Sequence, residues 1–267
     1  MLLDQFSRTR LLLGDDGVEA LHGARVCVFG VGGVGGYAVE ALARCGVGAI
    51  DIVDDDKVCI TNINRQVIAT WDTVGRYKVD VMAERIASIN PGCKVTKHCC
   101  FYLPQTRGEF DFASYDYVVD AVDTVTAKLD IIMAANEAGT RVISCMGAGN
   151  KLDPTKLEVA DIYDTSVCRL ARVMRRELRR RGIPALKCVY SREPSIEVPD
   201  GAAACKRGCV CPPGSARTCL DRRAVPGSVS FVPSVAGLII ASEVVRDLVS
   251  APAVPAGRPD GFEQADC

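Results

Sequence analysis

VCVFGVGGVGGYAVEALARCGVGAIDIVDDD, residues 26–56, reads as strand, glycine turn, helix, strand and acidic end. The apolar run Val26 to Phe29 enters Gly30-Val-Gly-Gly-Val-Gly35, which supplies the three glycines of a G-x-G-x-x-G turn at Gly30, Gly32 and Gly35. Gly30 permits the tight turn, Gly32 lets backbone approach a phosphate, and Gly35 lets the next helix pack close to the strand. The unpaired N–H groups at that helix start favour an anion. Gly33 to Gly46 forms the helix, with Val34, Tyr37, Ala38, Ala41, Leu42 and Cys45 on one face. A second strand, Ala49 to Val53, ends in Asp54-Asp55-Asp56, where a carboxylate can accept bonds from ribose hydroxyls. A nucleotide is expected here, and the motif by itself leaves open which one.

Composition sets the outer limits. The chain has 267 residues, enough for one large domain or one and a half with a sizeable core, and a formal net charge of -1, so a nucleic-acid partner has to be met by a local patch. MLLDQFSRTR lacks a secretory apolar region, which makes a cytoplasmic protein the expectation. Of the 14 cysteines, those up to Cys188 show no disulfide-framework spacing and read as reduced thiols. The apolar stretch Val229 to Val249 contains Pro233, Glu243, Arg246 and Asp247, so it reads as a buried helix and not a membrane span.

Taken in order, Phe6 to Leu21 is a helical entry, Thr61 to Thr70 is polar and then helical, and Gly75 to Ile89 is a helix closed by Asn90-Pro91. Strands follow at Lys94 to His98, Tyr117 to Val122 and Arg141 to Ser144, with a helix from Val125 to Ala138 between the last two. This alternation argues for a Rossmann-like, doubly wound α/β fold whose mostly parallel sheet is covered on both faces. A C-terminal extension of mixed strands and helices comes next: strand Leu157 to Ile162, an arginine-rich helix from about Ser166 to Arg181, strand Leu186 to Tyr190, a long loop, and the apolar helix. Residues 6–250 are thus read as one domain that includes a basic helix and Cys-rich loop over 166–227, with 251–267 a flexible Pro/Gly-rich tail.

Two nucleotide chemistries compete. An NAD-dependent oxidoreductase needs only Asp54 and the glycines, which leaves Asn62, Arg65 and Lys78 without a role. An adenylating enzyme needs cations on a triphosphate and an acid for magnesium; Arg65 and Lys78 can supply the first and Asp123, at a strand's C-terminal end, the second. Singly each is usually a solvated charge, and it is their joint position that argues.

Gly30 to Gly35, Asp54 and Asp56, Asn62-x-x-Arg65-Gln66, Lys78 and Asp120-Ala-Val-Asp123 together resemble the ubiquitin-activating enzyme superfamily, the ThiF/MoeB/HesA-like adenylating enzymes. The resemblance runs from about Phe6 to Leu248. Further stretches, among them Ile89-Asn-Pro91, Gly147-Ala-Gly149 with Asp153-Pro154-Thr155, Val189-Tyr-Ser191 and Gly227 to Pro233, are similar to the tRNA threonylcarbamoyladenosine dehydratase branch. This resemblance implies ATP and magnesium as cofactors, with a monovalent cation as a further candidate, and tRNA carrying threonylcarbamoyladenosine as partner. It implies that Asp54 binds the ribose, that Gly32 and Gly33 lie along the phosphates, that Asn62, Arg65 and Lys78 contact the triphosphate, and that Asp123 holds magnesium. It also implies a homodimer in which Arg10, or Arg8 beside it, reaches the partner's ATP, and a sulfur-transfer or cysteine desulfurase system as a further possible partner. The alternative within the superfamily is adenylation of a ubiquitin-like or sulfur-carrier protein tail.

Two features stand apart. Many superfamily members use a late cysteine as a thioester nucleophile, and here the segment before the last helix, Pro226-Gly-Ser-Val-Ser230, has none. Cys205, Cys209, Cys211 and Cys219 lie nearby, and zinc, a thiol relay and a passive loop all stay open because the spacing is not a paired C-x2-C knuckle. Neither His22 nor His98 sits in a base-like constellation, which argues against a histidine triad. In RLARVMRRELRRR, Leu170, Val173, Met174 and Leu178 make an apolar stripe, and Arg169, Arg172, Arg175, Arg176, Arg179, Arg180 and Arg181 the other face. The bland reading is a solvated helix face. Only Glu177 interrupts the arginines, so a phosphate backbone is the counter-charge this helix suits.

Overall fold

A computed structural model describes residues 3–198, 212 and 226–250. Seven strands form one sheet in the order β3-β2-β1-β4-β5-β7-β6. They are β1 (Arg25–Phe29), β2 (Ala49–Val53), β3 (Lys94–His98), β4 (Tyr117–Asp120), β5 (Arg141–Cys145), β6 (Leu157–Asp161) and β7 (Lys187–Ser191). Only the β6–β7 pair is antiparallel. The expected C-terminal extension therefore adds two strands to the same sheet.

Side-chain alternation along the strands builds two cores. Val26, Val28, Ile50, Ile52 and Val119 point to the face covered by α1 (Ser7–His22), α2 (Gly35–Cys45), α3 (Lys78–Ile89) and α6 (Phe231–Val249). Cys27, Phe29, Val53 and Val118 point the other way, toward an aromatic cluster of Tyr102, Phe110, Phe112 and Tyr115 under α4 (Val125–Glu137). Farther along that second face, α5 (Arg169–Arg180) buries Ala171, Met174 and Leu178 against α4 and β7. Helices on both faces make the sheet readable as hydrophobic runs, as parallel strands require. α6 lies directly on α2: a Cβ at Gly237 would stand 2.3 Å from the Val34 carbonyl oxygen. That close seat explains why the apolar stretch is a core helix, and among the described residues no helix is long and apolar enough to cross a membrane.

Three local expectations shift. Residues 63–70 form no helix; short 3-10 turns at Ile60–Asn62 and Trp71–Thr73 bracket irregular backbone. The Asn62 Oδ1 accepts the Cys59 N–H at 3.0 Å and so caps the short Ile60–Asn62 turn. α3 starts at Lys78 and not at Gly75, which sits at φ +92°, and the Lys78 N–H is taken by the Asp56 carbonyl. α1 breaks at Gly14, whose φ of 74° no right-handed helix allows.

One buried charge cluster sits in mid-sheet. Asp51 on β2 is 1% exposed and accepts Arg25 Nη2 at 2.9 Å, with His98 Nε2 at 3.0 Å and the Tyr115 hydroxyl at 3.2 Å. Burial alone would raise its carboxyl, but bonds from His98 and Arg25 prevail and hold it below the usual aspartate range. A depressed carboxyl stabilises the fold above its unfolded value, and that contribution is lost as pH falls through the folded value. Thermal melts should therefore show stability dropping below about pH 4, and Asp51→Asn should reduce that acid sensitivity while costing about 2–3 kcal/mol at neutral pH. Equal acid slopes in the two proteins would assign the effect to other groups.

Candidate functional site

The strand order places β1 and β4 side by side, so the chain leaves the sheet in opposite directions at their C-terminal ends. The glycine turn fills that crevice. Gly30 adopts φ +89°, and a Cβ there would come 2.8 Å from the Ala121 carbonyl oxygen of the β4–α4 turn. At Gly35 a Cβ would meet the Gly30 oxygen at 1.8 Å, an impossible contact that restricts the position to glycine. At Gly32, by contrast, the nearest group is the Gln66 amide nitrogen at 3.9 Å, so open backbone faces the crevice. Two of the three motif glycines are fixed by packing, and the third leaves room for a ligand.

The acidic end of β2 ties this loop down. Asp54 Oδ2 accepts the Val31 N–H at 2.8 Å, and Asp54 Oδ1 accepts the Asp56 N–H at 2.9 Å. Lys78, at the start of α3, is buried and sits 2.7 Å from Asp56 Oδ2 and 3.4 Å from Asp54 Oδ1. Burial opposes its charge, yet the two carboxylates outweigh burial and raise the ammonium above the ordinary lysine value. Lys78 is thus a fixed cation at the rim of the glycine loop. The structure brings together Asp54, Asp56 and Lys78, and it gives Asp54 a loop-holding duty that a ribose-only reading leaves out.

Arg65 lies across the same loop. Its Cγ is 3.6 Å from where a Cβ on Gly33 would stand, and its Nη1 donates to the Thr61 carbonyl at 2.8 Å and to Asn64 Oδ1 at 3.0 Å. Asn62 holds the turn that carries Arg65. The neighbouring Gln66 is buried, and its Oε1 is the one buried side-chain oxygen or nitrogen among the described residues without a hydrogen-bond partner. An orphaned amide beside Gly32 fits a polar ligand in the crevice. The sequence pattern contained Gln66 but assigned it nothing.

Asp123 is exposed in the turn after β4, 3.4 Å from the Thr124 hydroxyl. Beneath it the sequence reading missed a fully buried pair, Asp120 with Lys128 at 2.8 Å, joined by the Ser144 hydroxyl. The available signal was a lysine in Ala127 to Ala135, a stretch of α4 that is apolar apart from it and Asp130. On the far side, residues 226–230 run as a strap: the Gly227 N–H donates to Asn150 Oδ1 at 2.6 Å, the Asn150 N–H donates back to the Gly227 carbonyl at 2.8 Å, and Asn64 Nδ2 donates to the Ser228 carbonyl at 2.9 Å. The strap links the Arg65 loop to the turn after β5.

Arg10 is held by Asp4 and Asp15, each at 3.1 Å, on its own chain. On α5, Arg172, Arg175, Arg176, Arg179 and Arg180 line a shallow open groove of about 530 Å³. Arg175 spends one nitrogen on the Thr165 carbonyl at 2.7 Å, and Arg176, Arg180 and Arg181 share the Glu177 carboxylate. Cys205, Cys209, Cys211 and Cys219 fall outside the described residues. Cysteines that are described are all free thiols, and burial pushes Cys145 and Cys188 up to about 12, which makes them poor nucleophiles.

Lys78→Met would leave two carboxylates facing each other, so a stability loss of about 3 kcal/mol is expected together with nucleotide binding weakened at least tenfold. Chemical denaturation and equilibrium dialysis with labelled ATP check the two effects separately.

The geometry agrees with comparisons to known proteins. Residues 6–262 match the ThiF family. The tRNA threonylcarbamoyladenosine dehydratase of Bacillus subtilis is 42% identical, across 93% of this chain and 96% of that protein. The crystal structure of the Escherichia coli enzyme of the same name, in complex with ATP, superposes with a TM-score of 0.78 at 33% identity, covering 92% of this chain and 94% of that one. A sulfur carrier protein adenylyltransferase of Thermus thermophilus is 27% identical over 92% of this chain and 78% of that protein. With the family matched over nearly its whole length and similarity above 30% spanning most of both sequences, the chain belongs to the ThiF family, in its tRNA threonylcarbamoyladenosine dehydratase branch.

Proposed function

We propose that this chain is an ATP-dependent tRNA threonylcarbamoyladenosine dehydratase. The observation that carries the reading is the crevice itself: open backbone at Gly32, Arg65 laid on Gly33 and Lys78 fixed beside Asp54 and Asp56, in a chain 33% identical to one solved with ATP. An oxidoreductase site would have no use for those cations.

The substrate's threonyl carboxylate attacks the α-phosphorus of ATP, forming an acyl-adenylate and releasing pyrophosphate. The carbamoyl nitrogen or oxygen of the same modified base then attacks the activated acyl carbon, which closes a ring and expels AMP. One carboxylate oxygen leaves with AMP, so the nucleoside loses the elements of water. Both reacting groups belong to one molecule, and the second step needs positioning more than a protein nucleophile. Arg65 and Lys78 stabilise charge that moves onto the departing pyrophosphate, and preorganised cations suit that task because Lys78 is already held by two acids. Asp123 offers a carboxylate oxygen in the turn after β4, a donor type that fits magnesium; when bound, the ion would neutralise phosphate charge.

The α5 groove supplies a polyanion contact for tRNA, with Arg172 and Arg176 the side chains chosen as probes because Arg175 is committed to the Thr165 carbonyl. A homodimer is the proposed assembly: Leu11 and Leu12, 84% and 87% exposed beside Arg10, are apolar surface that a second copy would cover. Adenylation of a carrier-protein tail is the second reading, favoured by the similarity to the Thermus thermophilus adenylyltransferase.

Purified protein given ATP, magnesium and tRNA bearing threonylcarbamoyladenosine should lower that nucleoside's mass by ~18 Da, and Arg65→Ala should abolish the change. Pyrophosphate exchange that appears only with a Gly-Gly-tailed carrier would transfer the function to the second reading. Arg172→Ala combined with Arg176→Ala should weaken tRNA binding about tenfold and reduce the salt slope by about one to two, measured by filter binding.

A further inference from the structure

Lys128 is 0% exposed in a helix buried on nearly every side, where a leucine or methionine would pack at lower cost. Its partner Asp120 is equally buried, so stability does not explain the pair. What the two groups hold is the turn between β4 and α4. Lys128 Nζ lies 2.8 Å from Asp120 Oδ2 and donates to the Val122 carbonyl at 3.1 Å, while Asp120 Oδ1 accepts the Val122 N–H at 3.3 Å. Both backbone groups of the residue before Asp123 are therefore pinned. The Ser144 hydroxyl, from β5, donates to Asp120 Oδ2 and fixes the carboxylate from the other side. Cys145, the next residue, stays a neutral thiol because burial pushes it up to about 12, so it adds no competing charge.

The turn is also seated against the glycine loop. The Ala121 N–H donates to the Phe29 carbonyl at 2.9 Å, and the Ala121 oxygen blocks any side chain at Gly30. A shift of this turn would move Asp123 relative to the loop that cradles phosphate.

We propose that the buried Asp120–Lys128 pair, buttressed by Ser144, is a positioning device that sets the Asp123 carboxylate at the phosphate loop for the divalent ion that accompanies ATP. This rests on the reading of Asp123 as the metal-holding acid. Neither Asp120 nor Lys128 touches substrate; they act through the turn. Removing the pair should separate nucleotide binding, which depends on the glycines, Arg65 and Lys78, from metal binding, which depends on where Asp123 points.

The test uses the full chain with Mn2+ as the probe, its binding in the presence of a non-hydrolysable ATP analogue followed by electron paramagnetic resonance. The double variant Asp120→Asn with Lys128→Met keeps the volume and leaves no lone charge. It should melt cooperatively and bind the metal-free analogue as the parent does, yet hold Mn2+ at least about tenfold more weakly and lose a similar factor in kcat with little change in KM for ATP. Lys128→Arg, which keeps the charge, should recover part of the loss. Parent-like Mn2+ affinity in the double variant, with Asp123→Ala impaired, would overturn the role of the pair alone. Parent-like Mn2+ affinity in Asp123→Ala would instead sink the reading of that acid and the proposal with it. Should the double variant not fold, Ser144→Ala decides: a loss of about threefold or more in Mn2+ affinity supports the device, and no loss overturns it.

Discussion

The structure depends on one carboxylate. Asp54 accepts the Val31 N–H from the glycine loop and the Asp56 N–H from its own strand end, and with Asp56 it fixes Lys78 at the head of α3. Loop, strand end and helix start thereby share a single node. A charged acceptor of backbone N–H groups is worth more than a neutral one, and burial of Lys78 makes the pairing obligatory. The consequence for chemistry is that a cation and the open backbone at Gly32 are held in place before any ligand arrives, which is what electrostatic preorganisation requires.

The same solution recurs at β4, on the other side of β1. Where β2 uses Asp54 and Asp56 with Lys78, β4 uses Asp120 with Lys128, and both pairs sit where the chain turns away from the sheet beside the crevice. Such pairs are costly compared with apolar packing, so their placement at two loop-bearing strand ends argues for control of loop geometry. By contrast, Asp51 lies in the middle of its strand with Arg25 and His98, away from those ends, and its effect is on stability. Among the arginines that line the open groove on α5, Arg175 also serves the fold through Thr165.

Much of this was legible in the sequence, and the pattern of misses is physical. Strands β2 and β3 fall on the residues expected, and the glycine motif found its crevice, because periodicity and glycine requirements are local properties. The stretch 61–70 reads as polar and then helical, yet the capped turn Ile60–Asn62 runs straight into irregular backbone, a boundary that composition does not display. Lys78 and Arg65 were found as cations, but that Lys78 would be paired to acids 22 and 24 positions earlier has no local signature. Asp120 was visible only as a letter in a motif; its partners Lys128 and Ser144 come from a helix and a neighbouring strand, and only the assembled sheet unites them.

The central claim is that the substrate carboxylate attacks the α-phosphorus of ATP. Its most direct test is oxygen transfer. With tRNA whose threonylcarbamoyl carboxylate carries oxygen-18, mass spectrometry of the products should find one labelled oxygen in AMP and none in pyrophosphate. Label appearing in inorganic phosphate alongside ADP would mean activation at the γ-phosphorus, and label released only to water would mean dehydration without a nucleotide ester; either result contradicts the adenylation mechanism.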